Sequence, residues 1–372
     1  MHKPIKILQL FAQLNRGGAE TNIMNYYRKI DRTKFEFDFA IHRPEKGHYH
    51  DEILQMGGKI FRFSALNPLK INIYKKEIID FFDKNKDYQI IHGNNSEMGI
   101  YFYEEAKKRN IPVIIAHGHI SNSGISIKSI FRWYYKNQIK KYVTTYFACG
   151  QDASVWLFGK KDSIKTFIMN NAIDATLFAF KNEKDLETRK ILNAEKTLNI
   201  LHVGRFFKEK NHSFLIDVFS ELNKINPNTK LFLVGEGNLK TKILEKVKNL
   251  SLDEKVVFLG SRSDVNVLSQ AMDLYLFPSL FEGLPVSLVE AQAAGLKCII
   301  SDGVPKEAIL IPENVEVIAL KKTPKYWASQ INNFRNHKKT DVGQIIIEKG
   351  YDINANVTIL ENKYLELLTA NS

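Results

Sequence analysis

FPSLFEGLPVSLVEAQAAGLKCIIS, residues 277–301, decides how the rest of the chain is read. Leu274–Phe277 (LYLF) just before it has the look of a short buried strand. Pro278 to Pro285 punctuate a loop, Val286 to Ala294 carry helix formers, and Gly295 stops them. Cys298–Ile300 then supplies a second strand. Strand, loop, helix and strand make a parallel α/β unit, which binds ligands outside the carboxyl ends of its strands. The helix N-terminus there offers unpaired N–H groups and partial positive charge, suited to a phosphate. Two acids eight positions apart stand in this segment: Glu282 in the loop and Glu290 in the helix. With Pro285 opening the helix, Glu290 lies more than one turn inside at about 1.5 Å rise per residue. The two carboxylates can then touch different parts of one elongated ligand. The same spacing fits two solvated acids, the commoner fate of such residues.

Outward from this segment, strands and helices alternate in two series. Leu198–Val203, Leu231–Val234 and Val256–Leu259 precede it as strands of the second series. The first series has strands at Ile5–Phe11, Phe35–Ile41, Lys59–Phe63, Gln89–His92, Val113–Ala116 and Phe147–Gly150. Its helices are expected at Thr21–Ile30, Ile71–Phe82, Glu97–Arg109 and Ile127–Tyr146. Between the series the pattern dissolves into KNEKDLETRK, which places a hinge at residues 171–195. The expected fold is α/β, with Rossmann-like domains at 1–170 and 196–354 facing across a cleft. Val357–Leu368 completes the pattern as a terminal helix, at about residues 355–370.

Composition narrows the partners. The 372 residues suit two domains, and 44% hydrophobic content is ordinary for a globular chain. Cys149 and Cys298 lie in apolar runs and read as buried thiols in a reducing compartment. The opening MHKPIKILQLF fits a first strand better than a signal peptide, and no apolar run is long enough to span a bilayer. A formal charge of +12 favours anionic partners, whether nucleoside diphosphates, lipid phosphates, membrane or nucleic acid. No RNA-recognition signature supports the last of these.

Four further places can carry chemistry. Arg205 and Lys210 sit in VGRFFKEKNHSFL, after a strand and before a helix, where a diphosphate would lie. Arg grips phosphate oxygens in pairs, and Lys supplies a mobile point charge; both are also common as solvated loop cations. Gly17-Gly18, between the first strand and helix, lets backbone approach a ligand, although most such pairs are only turns. No G-x-x-x-x-G-K-[ST] loop and no complete dinucleotide fingerprint occur. His117 and His119 follow Val113–Ala116 in IIAHGHISNSG, where loop histidines contact sugar hydroxyls, shuttle protons or simply bond backbone. No metal-ligand spacing accompanies them, so no metal and no cofactor are expected. Along the helix at 127–146, Lys128, Arg132, Lys136 and Lys140 drift down one side with Trp133 nearby. Ile127, Ile130, Phe131, Tyr134, Tyr135, Ile139 and Tyr142 crowd the remainder. That pattern fits an anionic membrane surface or a core helix with one solvated face.

With Glu282 and Glu290 separated by seven residues in FEGLPVSLVEAQAAG, the chain resembles the retaining glycosyltransferases of family 4, which have the GT-B fold. The resemblance implies that Glu290 holds the ribose hydroxyls of a nucleotide-sugar and that Glu282 lies beside the transferred sugar. It makes Gly283 and Leu284 donor-loop residues. Arg205 and Lys210 go onto the leaving diphosphate in place of a metal, and Gly17 and Gly18 face the donor phosphates. His117, or alternatively His119, falls near the sugar and acceptor. The 1–170 domain becomes the acceptor side, with the terminal helix packing back on it, and 196–354 the nucleotide-sugar side. GGAETNIMNYY and FEFDFAIHRPEKGHY look closest to bacterial exopolysaccharide and capsule enzymes. The expected reaction is metal-independent hexosyl transfer from a UDP-sugar to a polyprenyl-linked oligosaccharide, by a cytoplasmic protein on the inner face of the plasma membrane. A GT-B nucleotide-sugar epimerase and a binding protein for acidic polymers are the alternatives.

Overall fold

The computed structural model describes residues 3–119, 127–181 and 185–371. The chain divides into two compact units, Met1–Ala172 with Ile353–Ser372, and Ile173–Asp352. The first unit holds β1 (Ile5–Leu10), β2 (Phe35–Ile41), β3 (Ile60–Arg62), β4 (Tyr88–Gly93), β5 (Val113–Gly118), β6 (Thr145–Ala148) and β7 (Phe167–Ile168). All pair in parallel, in the order β3-β2-β1-β4-β5-β6-β7. Strands such as FEFDFAI are apolar almost throughout because helices cover both faces of the sheet. Asp38 is buried within that run, and it accepts hydrogen bonds from the Tyr88 hydroxyl at 2.7 Å and the Lys59 amide at 2.8 Å.

The second unit repeats the plan with β8 (Leu198–Val203), β9 (Thr229–Val234), β10 (Val256–Gly260), β11 (Leu274–Phe277), β12 (Lys297–Ser301) and β13 (Val315–Ile318). Their order is β10-β9-β8-β11-β12-β13. Both units are therefore Rossmann-like sheets. In each the strand order reverses at one point, between β1 and β4 and between β8 and β11, where such sheets open a ligand crevice.

Helix Ile353–Asn371 belongs to the first unit. It buries Ile353, Val357, Leu360, Tyr364 and Leu367, spaced by fours and threes along one stripe. They join Phe35, Phe37 and Phe39 in one core cluster.

Several elements depart from the sequence reading. Of residues 171–195, expected as a hinge, all from Ile173 on belong to the second unit, and they carry helices Ala175–Phe178 and Asp185–Ile191. Arg189 pairs with Asp273 at 2.6 Å, and Gln270 donates to the Phe178 carbonyl at 2.9 Å, so this polar stretch is packed surface. The helix expected over 127–146 stops at Ile139. Thr144 beyond it is drawn into the sheet, its amide donating to the Ile114 carbonyl and its hydroxyl accepting from the Ile114 amide. β7 and β13 are edge strands of 2 and 4 residues, too short to stand out in the sequence. Helix Gln151–Ser163 is broken in its pattern by Gly159, whose φ is 79°.

Candidate active site

At the reversal between β8 and β11, three loops are tied together by backbone. The Leu280 amide donates to Glu209 O at 2.8 Å, and the Glu282 amide to Gly303 O at 3.2 Å. Asn211, in the left-handed region at φ 55°, donates through Nδ2 to Pro278 O at 3.1 Å. These bonds join the loops after β8, β11 and β12 and bring Lys210 to Glu282, Nζ to Oε1 at 2.6 Å. Both side chains are largely buried, and the ammonium also lies 4.7 Å from the Phe277 ring centroid.

The glycines make this close packing possible. A Cβ on Gly235, at φ +143°, would meet Gly204 O at 2.1 Å, and one on Gly303 would meet Leu280 O at 2.3 Å. Gly204 itself leaves room for the Lys210 stem, 3.2 Å from where its own Cβ would stand. Gly235→Ala adds a backbone clash to a strained φ, and is expected to destabilise the second unit by about 2–4 kcal/mol. Chemical denaturation would detect this, and an unchanged midpoint would contradict it.

Arg205 is half-buried beside the Phe207 ring, at 4.9 Å, and makes no ion pair among the described residues. Glu290 lies in helix Val286–Ala293 and is partly exposed. Among the described residues its carboxyl has no hydrogen-bond partner, and desolvation pushes it up to about 8. An acid kept protonated at neutral pH is a donor as well as an acceptor, suited to hydroxyl groups. Gly283 and Leu284 lie between the two acids, with Leu284 buried. The sequence did not single out His202 and His212, which stand behind Lys210 with ring centroids 4.7 Å apart. Burial lowers both, to about 4 and about 2.

In the first unit, Gly17 caps helix Gly18–Lys29, and its Cα faces the Glu20 carboxylate. Gly18 has open space at its Cβ position. His117 is not the loop histidine expected from sequence. It is the fifth residue of β5, fully buried, with Nδ1 3.0 Å from His92 Nε2. His119 follows the strand and is partly exposed, its ring centroid 3.9 Å from that of His117. Neither group lies within the second unit's loops.

Helix Ile127–Ile139 does not present four free cations. Arg132 pairs with buried Glu97 and lies 5.2 Å from the Trp156 ring. Lys136 lies 4.8 Å from the same ring, where burial lowers its pKa. Lys140 is held by Asp162 at 2.7 Å and Phe158 O at 2.6 Å. The Lys128 side chain lies outside the described residues. Trp133 is 66% exposed, and Tyr134, expected on the packed side, is 54% exposed. No helix among the described residues is long and apolar enough to cross a membrane.

A family model described as glycosyl transferases group 1 matches residues 183–350, the span that contains the second unit's loops with Arg205, Lys210 and Glu282 and the helix with Glu290. A Bacillus subtilis protein named as glycosyltransferase EpsF is 31% identical over 372 residues, covering 96% of each chain. An Escherichia coli UDP-Gal:alpha-D-GlcNAc-diphosphoundecaprenol alpha-1,3-galactosyltransferase is 27% identical, covering 81% of this chain and 80% of that one. Among solved structures, Anabaena Alr3699/HepE in complex with UDP and glucose superposes with a TM-score of 0.82. It shares 17% identity, over 97% of this chain and 99% of that one, and so speaks to the GT-B fold alone. The 31% identity over 96% of both chains, with the family model over the second unit, makes the chain a member of the group 1 glycosyltransferases.

Proposed function

We propose that the chain is a retaining, family 4 type transferase. It moves a sugar from a UDP-sugar to a polyprenyl diphosphate-linked oligosaccharide in bacterial surface polysaccharide assembly. The observation that supports this most is the Lys210–Glu282 contact at one strand reversal, where the loop after β8 also carries Arg205 and the helix after β11 carries Glu290. In this reading Glu290 takes the ribose hydroxyls, and the amides of Gly283 and Leu284 approach the diphosphate. Arg205 and Lys210 neutralise charge as the C1–O bond to phosphate breaks. An arriving diphosphate shares the Lys210 ammonium with Glu282 and leaves that carboxylate beside the anomeric carbon. The E. coli relative is named for a UDP-sugar donor and a diphosphoundecaprenol acceptor, which supports the same substrate classes here.

The experiment is a thermal-shift panel of UDP, GDP, UDP-glucose, UDP-galactose, UDP-N-acetylglucosamine and GDP-mannose, followed by turnover with each sugar donor. Stabilisation by UDP and its sugars is expected, since a ligand bound only by the folded state raises its stability. Turnover should persist in chelator because the two cations take the place of a metal. No shift with any of the six compounds would refute the reading.

Membrane contact is part of the proposal and now rests on exposed apolar groups more than on charge. Leu69 is 94% and Trp133 66% exposed, whereas Arg132, Lys136 and Lys140 are engaged within the protein. Trp133→Ser with Tyr134→Ser is expected to weaken binding to anionic vesicles about tenfold or more. Equal sedimentation of variant and parent would remove the membrane contact.

A further inference from the structure

Beneath the carboxyl ends of β1, β4 and β5, Gln9, His92, Asn94, His117 and His119 meet Tyr364 from the terminal helix. The glycosyl-transfer reading uses only the strand-end histidines and gives no part to His92 or Tyr364. The hydrogen bonds run in one direction. Asn94 Nδ2 lies 3.3 Å from the His92 carbonyl oxygen and 2.8 Å from Gln9 Oε1. A backbone carbonyl only accepts, so this end of Asn94 is nitrogen and its Oδ1 is the atom 3.1 Å from His119 Nε2. His119 therefore carries its proton on Nε2, and its Nδ1 is a bare acceptor, buried and unpartnered.

The second chain starts at Tyr364, whose fully buried hydroxyl lies 2.7 Å from His92 Nδ1. The Gln9 amide nitrogen, itself out of hydrogen-bonding geometry, presents a further donor toward that hydroxyl oxygen. The phenol proton has His92 Nδ1 as its one acceptor among the described residues. His92 then holds its own proton on Nε2 and donates to His117 Nδ1 at 3.0 Å. That leaves the His117 proton on Nε2, buried without an acceptor. The opposite direction would strand the phenol proton and still leave His117 Nε2 unpaired. Burial keeps all three imidazoles neutral, His92 and His119 at about 3 and His117 well below its ordinary value, so each ring carries a single N–H.

We propose that Tyr364 is a positioning residue: through His92 it holds His117 as the Nε2–H tautomer, so that the adjoining His117 and His119 rings offer a substrate hydroxyl one donor and one acceptor. The identity of that hydroxyl rests on the glycosyl-transfer reading; the tautomers do not.

The test is a long-range proton–nitrogen NMR correlation on the full chain with labelled histidine, at pH 7 and without ligand. The parent protein is expected to show His92, His117 and His119 each as a single Nε2–H tautomer. Tyr364→Phe should lose the fixed tautomer at His92 and His117 and keep it at His119. Leu367→Ala, which loosens the same helix without touching the chain of bonds, should keep all three. With the donor that turns over in the panel above, Tyr364→Phe should lower kcat about tenfold with little change in KM, and Leu367→Ala should not. A His117 protonated on Nδ1 in the parent, or unaltered tautomers in Tyr364→Phe, would overturn the proposal. Absence of turnover with every donor would instead count against the transferase reading and leave the tautomers standing.

Discussion

Removing both cations of the second unit's site, Arg205→Ala with Lys210→Ala, is expected to lower kcat by about three orders of magnitude. Each preorganised donor aimed at developing charge contributes about 10²–10³ in rate, and a paired loss falls short of the product because both act on one diphosphate. The effect should fall mainly on kcat, since charge on the departing oxygen is greatest in the transition state. Lys210→Ala alone also leaves Glu282 in a largely buried position without its ammonium partner. That single variant should therefore lose stability as well as activity. Lys210→Ala with Glu282→Gln recovers the stability but not the rate. Near-parental kcat in the double alanine variant would remove these two residues from the chemistry.

The second large effect concerns Glu290. Its folded-state pKa is about 8 against 4.5 for an ordinary glutamate. Between those values the native state holds a proton that the unfolded chain has released. Stability of the parent protein therefore falls as pH rises through that window, with a slope near 1.4 kcal/mol per pH unit, and levels off above it. Glu290→Gln keeps the shape and removes the titration. The variant should gain a few kcal/mol relative to the parent between pH 5 and pH 8.5, or about 5 °C or more in Tm. Its UDP affinity should drop at least tenfold at the same time, because two ribose hydroxyls donating to Glu290 favour its ionised form, and an amide cannot ionise to accept from both. A parallel fall of Tm with pH in both proteins would contradict the assignment of this titration to Glu290.

Much of this architecture was legible because buried parallel strands are short apolar runs. Phe35–Ile41, Leu198–Val203 and Leu274–Phe277 have the bounds read from sequence. Arg205, Lys210 and Glu282 could be placed in loops after carboxyl strand ends, and Glu290 in the helix that follows, from punctuation alone. The Lys210–Glu282 contact could not, since it depends on the backbone bonds that tie three loops together. His92 and Tyr364 were passed over for a similar reason: they meet across 272 positions, and each alone looks like a core residue. The basic side of helix Ile127–Ile139 looked free because its partners, Glu97, Trp156 and Asp162, lie on other elements. Periodicity shows which face of a helix is polar but not what that face touches.

Calorimetric titration of UDP tests the central claim most directly, comparing the parent protein with a variant carrying Arg205→Ala, Lys210→Ala and Glu290→Gln. The account predicts saturable binding to the parent in the micromolar range and its loss in the variant, with both proteins folded by circular dichroism. Equal heats from the two proteins would contradict it.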